Sequence, residues 1–173
     1  MDFENYTNKL NAELGKIRNE DIKFLFESLK HIIDNGGTVI FAGNGGSFAN
    51  SLHISGDYQK TFSSKNASFH AIGENFCSLS AIANDYCFEE SFAIQILPLI
   101  KKNIPTLIIF LSGSGNSKNI IKAAEQLKIL SKKSEDFKTI SVSGQSDVVA
   151  DSGTDTLTLV GGSNITITTD ASS

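Results

Sequence analysis

Three glycines, Gly43, Gly45 and Gly46, surround Asn44 and end on the hydroxyl of Ser47, directly after the apolar run Thr38 to Ala42. A second cluster, Ser112-Gly113-Ser114-Gly115-Asn116-Ser117, follows the apolar run Thr106 to Leu111. Glycine lets backbone N–H groups come close to a ligand, and serine adds hydroxyl donors. Where a helix begins just beyond, its unpaired N–H groups and its dipole complete an anion site. A phosphate group is the fitting ligand, and two such turns in one domain make the reading stronger than either alone. A third stretch, Ser141 to Ser146, reads as a plain turn.

Neither cluster is a nucleotide loop. Gly43-x-Gly45 opens like the dinucleotide fingerprint, but Phe48 stands where its third glycine belongs, and Glu74 comes too late to hold a ribose. No Gly-Lys-Ser/Thr follows either cluster, which excludes a Walker loop. No nucleotide cofactor is expected.

Six residues after Ser47 comes His53, and four after that Asp57. On a helix these two share a face. An imidazole beside a carboxylate can act as a base with its orienting partner, bind a metal ion, or form a surface pair. His31 and His70 lack such neighbours and read as structural.

The elements that must position these groups are legible from the spacing. Residues 3–34 predict two helices, with Phe3, Tyr6, Leu10, Leu14 and Ile17 at three- and four-residue steps, then Ile22, Leu25, Phe26, Leu29, Ile32 and Ile33. Asn19 and Asp21 are candidate caps for the second, and Gly36 and Gly37 end it. Strands are predicted at Thr38–Ala42, Asn66–Ile72, Thr106–Leu111 and Phe137–Val142. Helices are predicted at Ser47–Lys60, Cys77–Asn84, Phe88–Leu97 and Asn116–Leu130. Alternating strands and helices, with strands apolar on both faces, predict an α/β fold: a central parallel sheet in three α/β/α layers. The Thr38 and Thr106 strands are expected side by side in its middle. The end differs: Thr156–Val160 and Ile165–Thr169 alternate around Gly161 to Asn164, the pattern of a hairpin.

At 173 residues, with 40% apolar and 20% charged residues, the chain fits a single globular domain over 1–173. A net charge of −4 argues against a nucleic-acid partner. The polar start MDFENYTNKLNAE is no signal peptide, and Ile104 to Leu111 is too short to cross a membrane. A cytoplasmic protein with no membrane partner is the expectation. Cys77 and Cys87 fit neither a Cys-x-x-Cys pair nor a zinc cluster and read as buried small hydrophobes.

Three stretches together resemble a known family. GNGGS at 43–47 with His53 beyond it, AIANDYCFEESFA at 81–93, and FLSGSGNSKNIIKAAEQLK at 110–128 are similar, in order and spacing, to the sugar isomerase (SIS) domain of phosphoheptose isomerases. The likeness runs over about residues 5 to 160. It implies a flavodoxin-like α/β/α domain with N-terminal helices at 3–34 and an α/β core at 38–160. The implied reaction converts sedoheptulose 7-phosphate to a heptose 7-phosphate, D-glycero-D-manno-heptose 7-phosphate, on the way to lipopolysaccharide and related glycans. It also implies a homotetramer whose sites are made by neighbouring subunits. By motif match, Ser47, Ser112, Ser114 and Ser117 hold the phosphate, together with Gly45 and with Gly113, where many members carry threonine. Asn44 and Asp85 would contact sugar hydroxyls. His53 matches a metal-ligand position, zinc being the usual ion.

The chain departs from the family twice. Asp57 stands at the position of the family's catalytic glutamate, one methylene shorter; a carboxylate set back by ~1 Å can cost on the order of a hundredfold in rate. It would be the base and, with His53, a metal ligand. The family also ends in a helix bearing a glutamine and a histidine, and neither residue follows Val160. Three readings stay open: a sequence that stops short of its protein's end, an enzyme that works differently, or a non-catalytic relative. The last would be a sugar-phosphate-binding regulator, or a factor of the type that associates with a replication initiator.

Overall fold

The computed structural model describes residues 2–131 and, beyond them, the backbone of three strand segments at 139–140, 148–149 and 157–161. Two helices lead, α1 (Phe3–Leu14) and α2 (Asn19–Asp34). Then come β1 (Thr38–Gly43), α3 (Gly46–Thr61), β2 (Ser68–Ala71), α4 (Phe76–Asp85), α5 (Ser91–Ile96), β3 (Thr106–Ser112) and α6 (Lys118–Ser131). Single 3₁₀ turns at Phe88–Glu90 and Leu97–Leu99 flank α5. Three short strands follow, β4 (Thr139–Ile140), β5 (Val148–Val149) and β6 (Leu157–Gly161).

The main sheet has the order β2-β1-β3-β6, and every pairing in it is parallel. Thr38 pairs with Thr106 and Gly43 with Leu111, so β1 and β3 are the adjacent middle strands, as expected. Because side chains alternate along a strand, the two faces are both apolar. Ile40, Ala42, Ile108 and Phe110 meet Phe92 and Ile96 of α5 and Ile120 and Leu127 of α6. Val39, Phe41, Leu107 and Ile109 meet Ile32 and Ile33 of α2, with Ile54 and Tyr58 of α3 packed beside them. Three layers result, and the strands must be apolar throughout because helices cover both sides.

Several expectations need correcting. The fourth strand is only Thr139–Ile140, and it pairs antiparallel with β5 in a separate two-stranded sheet. The stretch read as the first arm of a hairpin is β6, a parallel neighbour of β3; alternation of two runs signals strands but does not choose their partners. Its supposed second arm, Ile165–Thr169, and the turn at Ser141–Ser146 lie outside the described residues. Asn19 and Asp21 do not cap α2: Arg18 holds the cap position, with no side-chain cap bond, and its guanidinium pairs with Asp21 instead. Cys77 is exposed, because α4 buries no residue fully, and Cys87, beyond the end of α4, is half-buried.

The α2 layer is tied to the turn after α3 by charge. Asp34 accepts from Lys30 one turn back and from Lys65 at 2.9 Å, and these bonds hold its carboxyl down at about 2. The folded form therefore favours the carboxylate, and the stabilisation is complete above the ordinary aspartate range near 3.9. It is lost as pH falls from about 4 toward about 2. Thermal melts should show wild type above Asp34→Asn at pH 6, with the gap narrowing over that acid window; a gap independent of pH would mean the pair does not stabilise the fold.

Candidate functional site

The two glycine-serine turns leave adjacent parallel strands at the same, carboxyl, edge of the sheet. That edge is where open α/β sheets bind ligands. At the first turn, Gly43 is buried and packed so closely that an added Cβ would sit 2.7 Å from the Ser47 Cβ and 2.9 Å from the Leu111 carbonyl oxygen. No other residue fits there without moving β3 or the start of α3. Ser47 then donates its N–H to the Asn44 carbonyl at 3.0 Å, and Gly45 takes φ +56° to enter α3. Phe48, the residue that breaks the dinucleotide fingerprint, has its ring against Gly73 in the β2–α4 turn.

At the second turn, Ser112 Oγ accepts from the Gly115 N–H at 3.0 Å, and Ser114 Oγ from the Asn116 N–H at 3.2 Å. Each hydroxyl thus braces the loop as an acceptor and keeps its own O–H to donate. The Ser117 carbonyl receives the N–H groups of Ile120 and Ile121, opening α6. Among the described residues no partner takes the hydroxyls of Ser47 or Ser117. Four serine O–H groups at two helix starts on neighbouring strands make an arrangement that can bind a phosphate.

A link between the turns was not foreseen. The side-chain amides of Asn44 and Asn119 bond reciprocally, each Nδ2 donating to the other's Oδ1 at 2.9 Å. Asn119 lies in the first turn of α6 and is 2% exposed.

The second signature is placed by charge. Glu90 pairs with Lys122 and accepts from Gln126 at 3.0 Å, while Glu89 pairs with Lys118 at 3.0 Å. The Lys122 bond lowers the Glu90 carboxyl below its ordinary value, against a smaller opposing effect of burial. These pairs fasten the 88–90 turn to α6, beside the serine loop. Asp85 closes α4 and is exposed; its carboxylate accepts from Asn84 at 2.8 Å and makes no hydrogen bond to either loop among the described residues.

His53 and Asp57 do share a face of α3, with Nε2 and Oδ2 3.2 Å apart. What turns them outward is the opposite face. Buried Ser51 and Ser55 let the helix lie close to the sheet, and the Tyr58 ring meets Phe41, Phe62 and Phe69 edge-on at 5.6–5.9 Å. The pair's side chains are 80% and 60% exposed. It sits along the helix from Ser47, about 9 Å to His53 and about 15 Å to Asp57 at 1.5 Å per residue.

Among the described residues zinc does not find a complete site. A catalytic zinc takes three protein ligands, and among the described residues no group of three His, Cys, Asp or Glu comes together. His53 and Asp57 offer two. Among the described residues no helix is long and apolar enough to cross a membrane.

Comparisons with known proteins agree with this fold. The SIS domain family matches residues 2–144. The chain is 36% identical over 128 residues to a phosphoheptose isomerase of Helicobacter pylori strain 26695, covering 73% of this chain and 63% of that protein. It is 30% identical over 148 residues to a probable phosphoheptose isomerase of Thermoplasma volcanium, covering 84% and 72%. The chain thus spans less than two thirds of the length of the Helicobacter pylori protein. The solved structure of phosphoheptose isomerase GmhA from Neisseria gonorrhoeae superposes with a TM-score of 0.60 at 27% identity, over 70% of this chain and 64% of that one. With its two serine-bearing loops, its parallel sheet and these matches, the chain belongs to the SIS domain family, among its phosphoheptose isomerase-like members.

Proposed function

We propose that the chain is a sugar-phosphate isomerase that interconverts a ketose and an aldose. The observation that carries this reading is the layout of α3: an anion-loop serine at its start and a histidine–carboxylate pair about two to three turns on. Such a layout suits a phosphate held at one end and a proton moved at the other. The reaction shifts a proton between C1 and C2 through an enediol. Asp57 takes the proton from one carbon and returns it to the other, and His53 orients the carboxylate; the proton that moves between the C1 and C2 oxygens passes through a donor other than these two. Ser47, Ser112, Ser114 and Ser117 grip the phosphate, and that remote binding energy fixes the reacting carbons. Asn44 and Asp85 would read sugar hydroxyls.

The relatives' names point to a phosphoheptose, and the family resemblance makes sedoheptulose 7-phosphate the first substrate to test, with D-glycero-D-manno-heptose 7-phosphate as product and surface-glycan synthesis as its use. The test is conversion of sedoheptulose 7-phosphate followed by separation of the two heptose phosphates. A protein that binds the ketose but never converts it would instead be a regulatory member of the family.

The same reading includes self-assembly. Phe3 and Phe26 are 79% and 65% exposed, and Tyr6, Leu10, Leu14 and Ile17 also face solvent. α1 buries no residue within this chain. An apolar stripe of that length on two helices favours a second copy, and the family resemblance favours a tetramer. Sedimentation should give a mass above one chain, and Phe3→Ser with Leu10→Ser should lower it; a wild-type monomer at micromolar concentration would remove this part of the proposal.

A further inference from the structure

The reciprocal pair of Asn44 and Asn119 has more to it than a bond between loops. Apart from the strand ladder, it is the only hydrogen-bonded connection between the first glycine turn and α6 among the described residues. Each amide uses one N–H and one carbonyl lone pair on the other. Asn119 Oδ1 also accepts, at 3.1 Å, the Ile120 backbone N–H, which it shares with the Ser117 carbonyl at 3.0 Å. That third bond removes an ambiguity: turning both amides over together would preserve the pair but set the Asn119 NH₂ against the Ile120 N–H. The backbone at the start of α6 thus fixes the polarity of Asn119, and Asn119 fixes that of Asn44. Asn44 is half-buried, and its remaining N–H and lone pair have no partner among the described residues.

We infer that Asn119 is a positioning residue: it locks the Asn44 amide in one orientation, so that one fixed donor and one fixed acceptor face the carbon chain of the ligand. The identity of that ligand rests on the isomerase reading; the lock does not. A buried amide is kept when its hydrogen bonds are met, and Asn44 and Ile120 supply three of the four that Asn119 can make.

Four forms test this: wild type, Asn44→Ala, Asn119→Ala and the double variant. Sedoheptulose 7-phosphate and inorganic phosphate are the two probes. Asn119→Ala should weaken the sugar phosphate about tenfold, within the coupling known for contacting residues. Inorganic phosphate, held by the serines, should change less than about twofold. The double variant should be no worse than Asn44→Ala. Equal loss of both probes, or additive losses, would mean that Asn119 only supports the fold.

Asn119→Asp adds a sharper readout. As a carboxylate, the new side chain turns an acceptor toward Asn44 Oδ1; once protonated, it donates there and restores both bonds. The variant-to-wild-type affinity ratio should climb toward one as pH falls through the pKa of the introduced carboxyl. A flat ratio overturns the inference.

If wild type binds no sedoheptulose 7-phosphate, the isomerase reading fails and the lock is judged by NMR instead. The Asn44 side-chain amide protons should exchange slowly in wild type and rapidly in Asn119→Asp at neutral pH. Fast exchange in wild type would end the proposal; it needs no variant to fold.

Discussion

Asp57→Asn is expected to lower the turnover of ketose phosphate by about 10²- to 10⁴-fold, the usual worth of one positioned acid–base group. Asparagine keeps the shape of aspartate, and its amide oxygen can still accept from His53, now 3.2 Å away. It cannot take a proton from carbon. Binding should survive under this reading, because residue 57 lies ten residues along α3 from Ser47 and is not one of the phosphate-binding serines. The expected signature is therefore a collapse of kcat with KM held within a few fold. Asp57→Glu, which adds the methylene found in most of the family, should keep activity or raise it. Full activity in Asp57→Asn would show that another group is the base.

The second large effect should come from Ser114 and Ser117. Each offers an O–H to a dianionic phosphate from a loop braced by its own backbone bonds. A hydrogen bond to a charged group is worth ~1.5–3 kcal/mol. Ser114→Ala with Ser117→Ala should then weaken sugar-phosphate binding by roughly 10²- to 10⁴-fold if the two losses add. Titration calorimetry with sedoheptulose 7-phosphate measures this directly. Loop geometry should persist at Ser117, whose role in opening α6 is played by its carbonyl and not by its hydroxyl. Unchanged affinity would place the phosphate elsewhere.

Much of this was readable before any coordinates. The runs Thr38–Ala42 and Thr106–Leu111 could only be strands covered on both faces, and glycine-serine turns straight after them could only sit at the carboxyl edge. The His53–Asp57 pairing followed from helical spacing. Partner choice was not readable. The alternation of Thr156–Val160 gives a strand but not its neighbour, and it reads as a hairpin arm where the structure has a parallel neighbour of β3. Asn119 was missed because a buried amide looks in sequence like any surface asparagine; only the facing Asn44, 75 residues away, explains it. The Glu89 and Glu90 pairs with Lys118 and Lys122 were missed for the same reason, since a charged turn and a charged helix give no sign of facing each other.

The placement of β6 beside β3 has a consequence for biosynthesis. Ile108 pairs with Leu157 and Ser112 with Gly161, so the strand that carries the serine loop is completed by residues made much later. While the ribosome adds the intervening chain, Thr106–Ser112, among the most apolar stretches of the protein, presents one bare edge. Unpaired apolar edges recruit other strands, and long-range parallel pairing is slow to form. The nascent chain is therefore most vulnerable to aggregation after β3 emerges and before β6 arrives, an interval in which a holding chaperone would have most to protect.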